Sequence, residues 1–214
     1  MSVFETLRAA ADPARAAQMS AYMRDQFPFL GISTPERRKL SRGSLRRLGR
    51  QDVDWDFVAE CWRLPEREFQ YLANDYLRGI AAALSPADIP RIRHLVVQKS
   101  WWDTVDSLDM VVGQIALRYP EVNQTLLAWS VDENFWLRRL AIDHQRNRRE
   151  QTDTVLLERI LVNNLGQSEF FINKAIGWAL RDYSKTDPDW VRGFLGRHRG
   201  AMAALSVKEA SKYI

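Results

Sequence analysis

Apolar positions recur at three- and four-residue spacing along nearly the whole chain. Phe69, Leu72, Tyr76 and Ile80 form one stripe, Val111, Ile115 and Tyr119 a second, and Phe171, Ala175, Trp178 and Leu180 a third. This is the period of a helix that turns one face to a core. Strict alternation bounded by turn residues is missing, so the pattern predicts an all-α fold. Helix starts are marked at Thr34-Pro35-Glu36, Pro65-Glu66, Ser85-Pro86 and Ser168-Glu169, where a capping side chain or a proline suits the first turn. Stops are expected at Gly43, Gly49, Pro120 and Gly166. The stretch Ser41–Asp52 reads as an inter-repeat loop or frayed helix end, and Leu205–Ile214 as a last short helix.

Comparable segments begin near Thr34, Leu64, Ser100, Asn134 and Glu169, a recurrence of roughly 30 to 37 residues. They share a weak pattern, an aromatic start, a basic or polar pair and an apolar helix ending in Asp-aromatic, seen in EFQYLANDY, NFWLRRLAIDH and EFFINKAIGWALRDY. A helix-pair unit of that length cannot bury its apolar face alone and must stack on neighbours. The expected architecture is a curved α-solenoid with a concave face, a plain helical bundle being the alternative. No linker divides the chain, so residues 1–214 are read as one domain.

Composition narrows the class. The chain has 214 residues, 46% of them hydrophobic, with eight Trp, nine Phe and six Tyr, which excludes disorder and low complexity. No apolar run approaches the ~20 residues that span a bilayer, and the amphipathic start MSVFETLRAA is unlike a signal peptide. A single cysteine, Cys61, forbids an intrachain disulfide and agrees with a cytoplasmic location; amid apolar neighbours it reads as a packed thiol. The net charge of +4 is modest, but Arg greatly outnumbers Lys, and its planar fork of donors suits phosphate. Solvated helix faces account for the same bias.

Metal and nucleophile chemistries find no support. His94, His144 and His198 lie far apart without ligand spacing and read as surface or boundary residues, and no Gly-rich phosphate loop or nucleophile elbow occurs. No cofactor or metal is expected. The segment KSWWDTVDS stands out. Ser100 reads as an N-cap with Asp103 closing a capping-box-like arrangement, whereas Asp106 lies beyond the first turn and shares a face with Trp102. Trp101 points elsewhere and is the better core candidate. An exposed Trp beside a carboxylate suits a cation or a flat electron-poor ring; a buried Trp with a solvated Asp is the alternative. Arg138 and Arg139 diverge on their helix, so only one can face a given groove. Trp178 follows Gly177, whose missing side chain leaves room for backbone or ligand. Lys208 and Lys212, one turn apart, suit either phosphate or solvent.

Together YMRDQFPFLGISTPERR, LPEREFQ, VQKSWWDTVDS, NFWLRRLAI and FFINKAIGWALRDYSKT resemble the AlkD-type DNA alkylation repair glycosylases from about Ala21 to Pro188. The resemblance implies HEAT-like repeats that bind duplex DNA in the concave face. It implies excision of positively charged N3- and N7-alkylated purines such as 3-methyladenine and 7-methylguanine, without flipping the base into a deep pocket. On the matching residues, Asp106 looks like the catalytic aspartate and Trp102 like the tryptophan beside it. Trp178 looks like a second aromatic of the lesion site, Tyr22 like a third, and Arg139, rather than Arg138, like its arginine.

The chemistry agrees. A cationic base is already an activated leaving group, and one carboxylate can stabilise the oxocarbenium-like sugar and orient water. Trp102 and Trp178 could hold the cationic nucleotide, and Arg139 could anchor a phosphate. Arg138, Lys174, Lys208 and Lys212 complete the candidate DNA contacts. The expected protein is a monomeric, monofunctional hydrolase of N-glycosyl bonds whose partner is duplex DNA with alkylated bases. A non-catalytic helical-repeat module binding duplex or branched DNA is the alternative.

Overall fold

Thirteen α-helices, joined by turns and short 3-10 segments, account for the described residues, 2–49 and 52–214, of the computed structural model, and no strand occurs among them. Two compact units are present, one up to Leu84 and one from Ser85 onward. The first contains α1 (Val3–Ala9), α2 (Pro13–Tyr22), α3 (Thr34–Leu48), α4 (Trp55–Arg63) and α5 (Arg67–Gly79). The second contains α6 (Ile89–Val97), α7 (Trp102–Arg118), α8 (Val122–Trp129), α9 (Phe135–Asp143), α10 (Thr154–Val162), α11 (Phe170–Tyr183), α12 (Pro188–His198) and α13 (Ala204–Ala210).

Caps explain many of the starts. Asp12, Asp54, Asp153 and Asp187 each accept a backbone N–H from the first turn of α2, α4, α10 and α12, at 3.1, 2.8, 2.9 and 2.9 Å. Such a cap is worth about 1 kcal/mol.

In the first unit α3 packs on α1 and α5, and α4 on α5, around Val58, Trp62, Phe69, Leu72 and Leu77. The LPEREFQ and FLGI segments meet there. The buried Glu68 carboxylate accepts the backbone N–H groups of Leu30, Gly31 and Ile32 at 2.9, 2.8 and 3.1 Å, which secures the loop before α3.

In the second unit α7, α9, α11 and α13 pack in succession, α6 contacts α7 and α9, and α8 contacts α9 and α10. Two glycines allow the close approaches. A Cβ at Gly113 of α7 would collide with the carbonyl oxygen of His144, just past α9. A Cβ at Gly177 of α11 would lie 2.5 Å from Glu209 Cβ on α13. The aromatic starts of the repeated segments also lock register. Trp101 contacts Trp136 and Phe171 with ring centroids 5.8 and 5.2 Å apart, and Trp136 contacts Phe171 at 4.9 Å. These rings tie the N-termini of α7, α9 and α11, and so set the residues one turn further along at a common level.

Several local expectations need correction. α3 continues through Gly43 to Leu48, so most of Ser41–Asp52 is helix; Arg50 and Gln51 lie outside the described residues. Ser33, not Thr34, occupies the N-cap position of α3, and its side chain makes no capping hydrogen bond. Trp101 occupies the N-cap of α7. Ser100 instead donates to the Val96 carbonyl at 2.6 Å, and Asp103 accepts from the adjacent Thr104 N–H, so no capping box forms. Tyr119 is exposed at the end of its stripe. His144 is buried rather than peripheral, its Nδ1 2.6 Å from the Ala141 carbonyl oxygen. Cys61 is a packed thiol, fully buried. No helix among the described residues is long and apolar enough to cross a membrane.

Candidate functional site

One turn into α7 and α9, Asp106 faces Arg139. The guanidinium grips the carboxylate with both prongs, Nε to Oδ1 and Nη2 to Oδ2, each at 2.7 Å. The third nitrogen, Nη1, donates to the Phe171 carbonyl of α11 at 2.6 Å. Arg139 is 2% exposed and the Asp106 side chain 15%. Three helices thus converge on one carboxylate that retains a route to solvent.

Behind this pair lies a second layer. Asp143, at the end of α9, has an oxygen 3.9 Å from Arg139 Nη2. Arg146 donates to Asp109 Oδ2 at 3.0 Å and approaches Asp143 Oδ1 at 3.5 Å. Asp106, Asp109 and Asp143 bring oxygens within 4.8 Å of one another. Asp109 and Asp143 are completely buried, and among the described residues Asp109 Oδ1 and both Asp143 oxygens accept no hydrogen bond. Burial raises the Asp143 carboxyl to about 6, with Arg146 and Arg139 opposing and the Asp106 charge adding. Burial likewise holds Asp109 well above the usual carboxylate range, against Arg146. Three carboxyls facing two guanidiniums therefore favour an extra proton. A metal fits this donor set poorly, because Arg139 takes both Asp106 oxygens and Arg146 takes one of Asp109.

Trp178 completes the cluster from α11. Its half-buried ring has four cationic groups around it: Arg139, Arg146, Lys174 and Arg181, at 5.5, 5.6, 5.7 and 5.8 Å from the centroid. Glu209 of α13 gathers Lys174 at 2.9 Å, Arg181 at 2.6 Å and Lys212 at 2.8 Å. The hydrogen bonds from Lys174 and Lys212 pull its carboxyl down to about 2.

This geometry revises several expectations. Arg139 directs one donor from each of its three nitrogens to Asp106 and the Phe171 carbonyl. A cationic base lying on Trp178 would meet four like charges. Of the two occupants expected beside Gly177, backbone or ligand, it is α13 that fills the space, with Ser206 backbone and Glu209. Arg138 turns away, to the Asp132 carbonyl at 3.2 Å and Gln167 at 3.3 Å. Lys174 and Lys212 are paired with Glu209, whereas Lys208 is exposed. Trp102 is half-buried at the first position of α7, one turn before Asp106. Tyr22 belongs to the first unit, where it ends α2 at 73% exposure.

Asp109, Asp143, Arg146, Arg181 and Glu209 were not among the residues singled out from the sequence. A signal existed: Asp109 is three residues after Asp106 and Asp143 four after Arg139, each a charge placed on the buried side of a largely apolar helix.

Comparison with known proteins adds a separate line of support. No curated protein matches the chain. A solved structure from Enterococcus faecalis, described as a predicted DNA alkylation repair enzyme, is similar to it with a TM-score of 0.90 and 35% identity, over 95% of this chain and 96% of that one. A family profile described as DNA alkylation repair enzyme matches residues 3–214. The chain therefore belongs to the DNA alkylation repair enzyme family.

Proposed function

We propose that this protein is a monofunctional DNA glycosylase that hydrolyses the N-glycosidic bond of cationic N3- and N7-alkylated purines in duplex DNA. The observation that carries the reading is the Asp106 carboxylate, gripped by Arg139 and still reachable from solvent. As the C1′–N bond breaks, its electron pair neutralises the cationic purine and positive charge moves to the sugar. A carboxylate already oriented by a buried fork can stabilise that charge without reorganising. It can also direct a water to C1′, whose surplus proton passes to solvent. Arg139 acts as a positioning residue.

Trp102 and Trp178 divide the work in this reading. Trp102, on the Asp106 helix, is suited to the cationic base. Trp178 and its cations are suited to the sugar and its phosphates, because Lys174 and Arg181 remain about a quarter exposed (26% each) while bound to Glu209. A neutral base gains neither the leaving-group nor the cation–π advantage, so selectivity follows charge.

Helix starts at residues 34, 67, 102, 135, 170 and 204 recur every 33 to 35 residues, which supports HEAT-like repeats acting as a single domain. The protein is read as a cytoplasmic monomer working on DNA.

The test is excision from two otherwise identical duplexes, one with 7-methylguanine and one with neutral hypoxanthine. The expected result is loss of 7-methylguanine alone, with the strand intact until alkali. Equal excision of both, or of neither with duplex binding retained, would overturn the reading, the second outcome favouring a non-catalytic DNA-binding module.

A further inference from the structure

The excision chemistry makes no direct use of Arg146, yet this residue reaches the centre of the site. It lies in the turn after α9, and that turn is pinned on two sides. Asn147 donates its backbone N–H to Asp182 of α11 at 2.6 Å, and Arg148 donates to the Gly113 carbonyl of α7 at 2.6 Å. Arg146 itself turns inward, its side chain 19% exposed. Its Nη2 donates to Asp109 of α7 at 3.0 Å and its Nε stands 3.5 Å from Asp143 of α9. Its guanidinium carbon lies 5.6 Å from the centre of the Trp178 ring of α11. One side chain thus spans the three helices that carry Asp106, Arg139 and Trp178.

Arg139 has two carboxylates within reach. Asp143 lies four residues along the same helix, the spacing at which a local ion pair forms. The fork passes it by: Nη2 is 3.9 Å from Asp143 Oδ2 but 2.7 Å from Asp106 Oδ2, on a different helix. Asp143 is completely buried, and among the described residues neither of its oxygens accepts a hydrogen bond. A buried carboxylate in that condition draws any guanidinium beside it. Arg146 is the counterweight. Its Nε also has no hydrogen-bond partner among the described residues, and it is the nearer of the two cations, at 3.5 Å against 3.9 Å. The other charges acting on Asp143 are carboxylates, Asp106 and Asp109 from α7 and Asp182 from α11.

We propose that Arg146 is a positioning residue for Asp106: by engaging Asp109 and Asp143 it leaves the Arg139 fork to the Asp106 carboxylate. This rests on the reading that Asp106 carries the excision chemistry. Without Arg146, an ionised Asp143 turns to Arg139, and Asp106 loses the fork that orients it. A protonated Asp143 does not compete. Burial raises Asp143 to about 6 against the pull of Arg146 and then Arg139, and removing Arg146 moves it higher still. The defect should therefore deepen as pH rises above about 6.

The experiment is single-turnover excision of 7-methylguanine at saturating enzyme, across pH, by wild type, Arg146→Met and Arg146→Met/Asp143→Asn. Misplacement of a reacting group by a distant change costs up to about 10²-fold. A loss of about tenfold to a hundredfold is expected in Arg146→Met, growing with pH, and most of it should return in the double variant. Arg146→Lys keeps the charge but not the planar span. It should show a smaller loss, also reversed by Asp143→Asn, and it carries the test if thermal denaturation finds Arg146→Met unfolded. An unchanged rate, or a loss that Asp143→Asn does not reverse, would overturn the proposal, since a lost phosphate contact or a loosened fold gains nothing from removing Asp143. The NMR signal of the Arg139 Nε–H, identified by its disappearance in Arg139→Lys, reads the fork without any turnover. It should shift in Arg146→Met and return in the double variant. A wild type that excises nothing while this signal shifts and returns would sink the glycosylase reading and leave the steering of Arg139 intact.

Discussion

At the scale of single residues, the account turns on how one carboxylate is held. Arg139 satisfies Asp106 twice and lies near Asp143, all in a nearly dry setting. Removing one partner of a buried ion pair costs about 3–5 kcal/mol, because the other is left uncompensated. Arg139→Met should therefore lower the unfolding free energy measured in urea by an amount of that order, and adding Asp106→Asn should recover part of the loss. An unfolding free energy equal to wild type would contradict a structural clamp. Asp143 gives a prediction in pH. Its folded value of about 6 lies above the ~3.9 of an unfolded aspartate, so folding takes up a proton. The stability it contributes is complete below about 3.9 and is lost as pH rises through about 6. Asp143→Asn removes that dependence, so the variant should gain on wild type between pH 4 and 7 in urea unfolding. His144, pushed down to about 3 by burial, has the opposite dependence but is common to both proteins and cancels in the difference. A constant gap would contradict a buried, protonating Asp143.

At the scale of elements, close helix approaches build the site. Gly177 lets α13 settle against α11, which brings Glu209 to Lys174 and Arg181 beside Trp178. Gly177→Ala inserts a methyl 2.5 Å from Glu209 Cβ; overpacking of this kind costs about 1–3 kcal/mol. Faster amide exchange confined to α13 and a lower melting temperature are expected, and unaltered protection of α13 would contradict the packing role. Much at this scale was legible from sequence. Aromatic starts recurring near Asn134 and Glu169 did mark helices, because stacking needs the same rings at each N-terminus. The Ser41–Asp52 stretch misled, since Arg, Gly and Ser resemble a loop in composition. Arg is a good helix former, however, and a single exposed glycine such as Gly43 costs only about 1 kcal/mol in a helix.

At the scale of the whole molecule, the partner of the site was harder to read than its centre. Asp106, Trp102, Arg139 and Trp178 stood out because carboxylate, indole and guanidinium are conspicuous at helical spacing. The structure brings Asp106, Arg139 and Trp178 into one cluster. What could not be read was who neutralises whom: Asp109 meets Arg146, and Glu209 meets Lys174 and Arg181, across separations of 28 to 37 residues. Arg139 is the example: its donors meet Asp106 from a different helix, a pairing that no local spacing announces. Net charge alone had only suggested an anionic partner. The central claim remains that Asp106 carries the chemistry. Its most direct test is single-turnover release of 7-methylguanine from a duplex by wild type and Asp106→Asn side by side, at enzyme concentrations where both bind the duplex. The account predicts a loss of about 10²-fold or more in the variant, with duplex affinity kept. Excision at the wild-type rate by Asp106→Asn would contradict it.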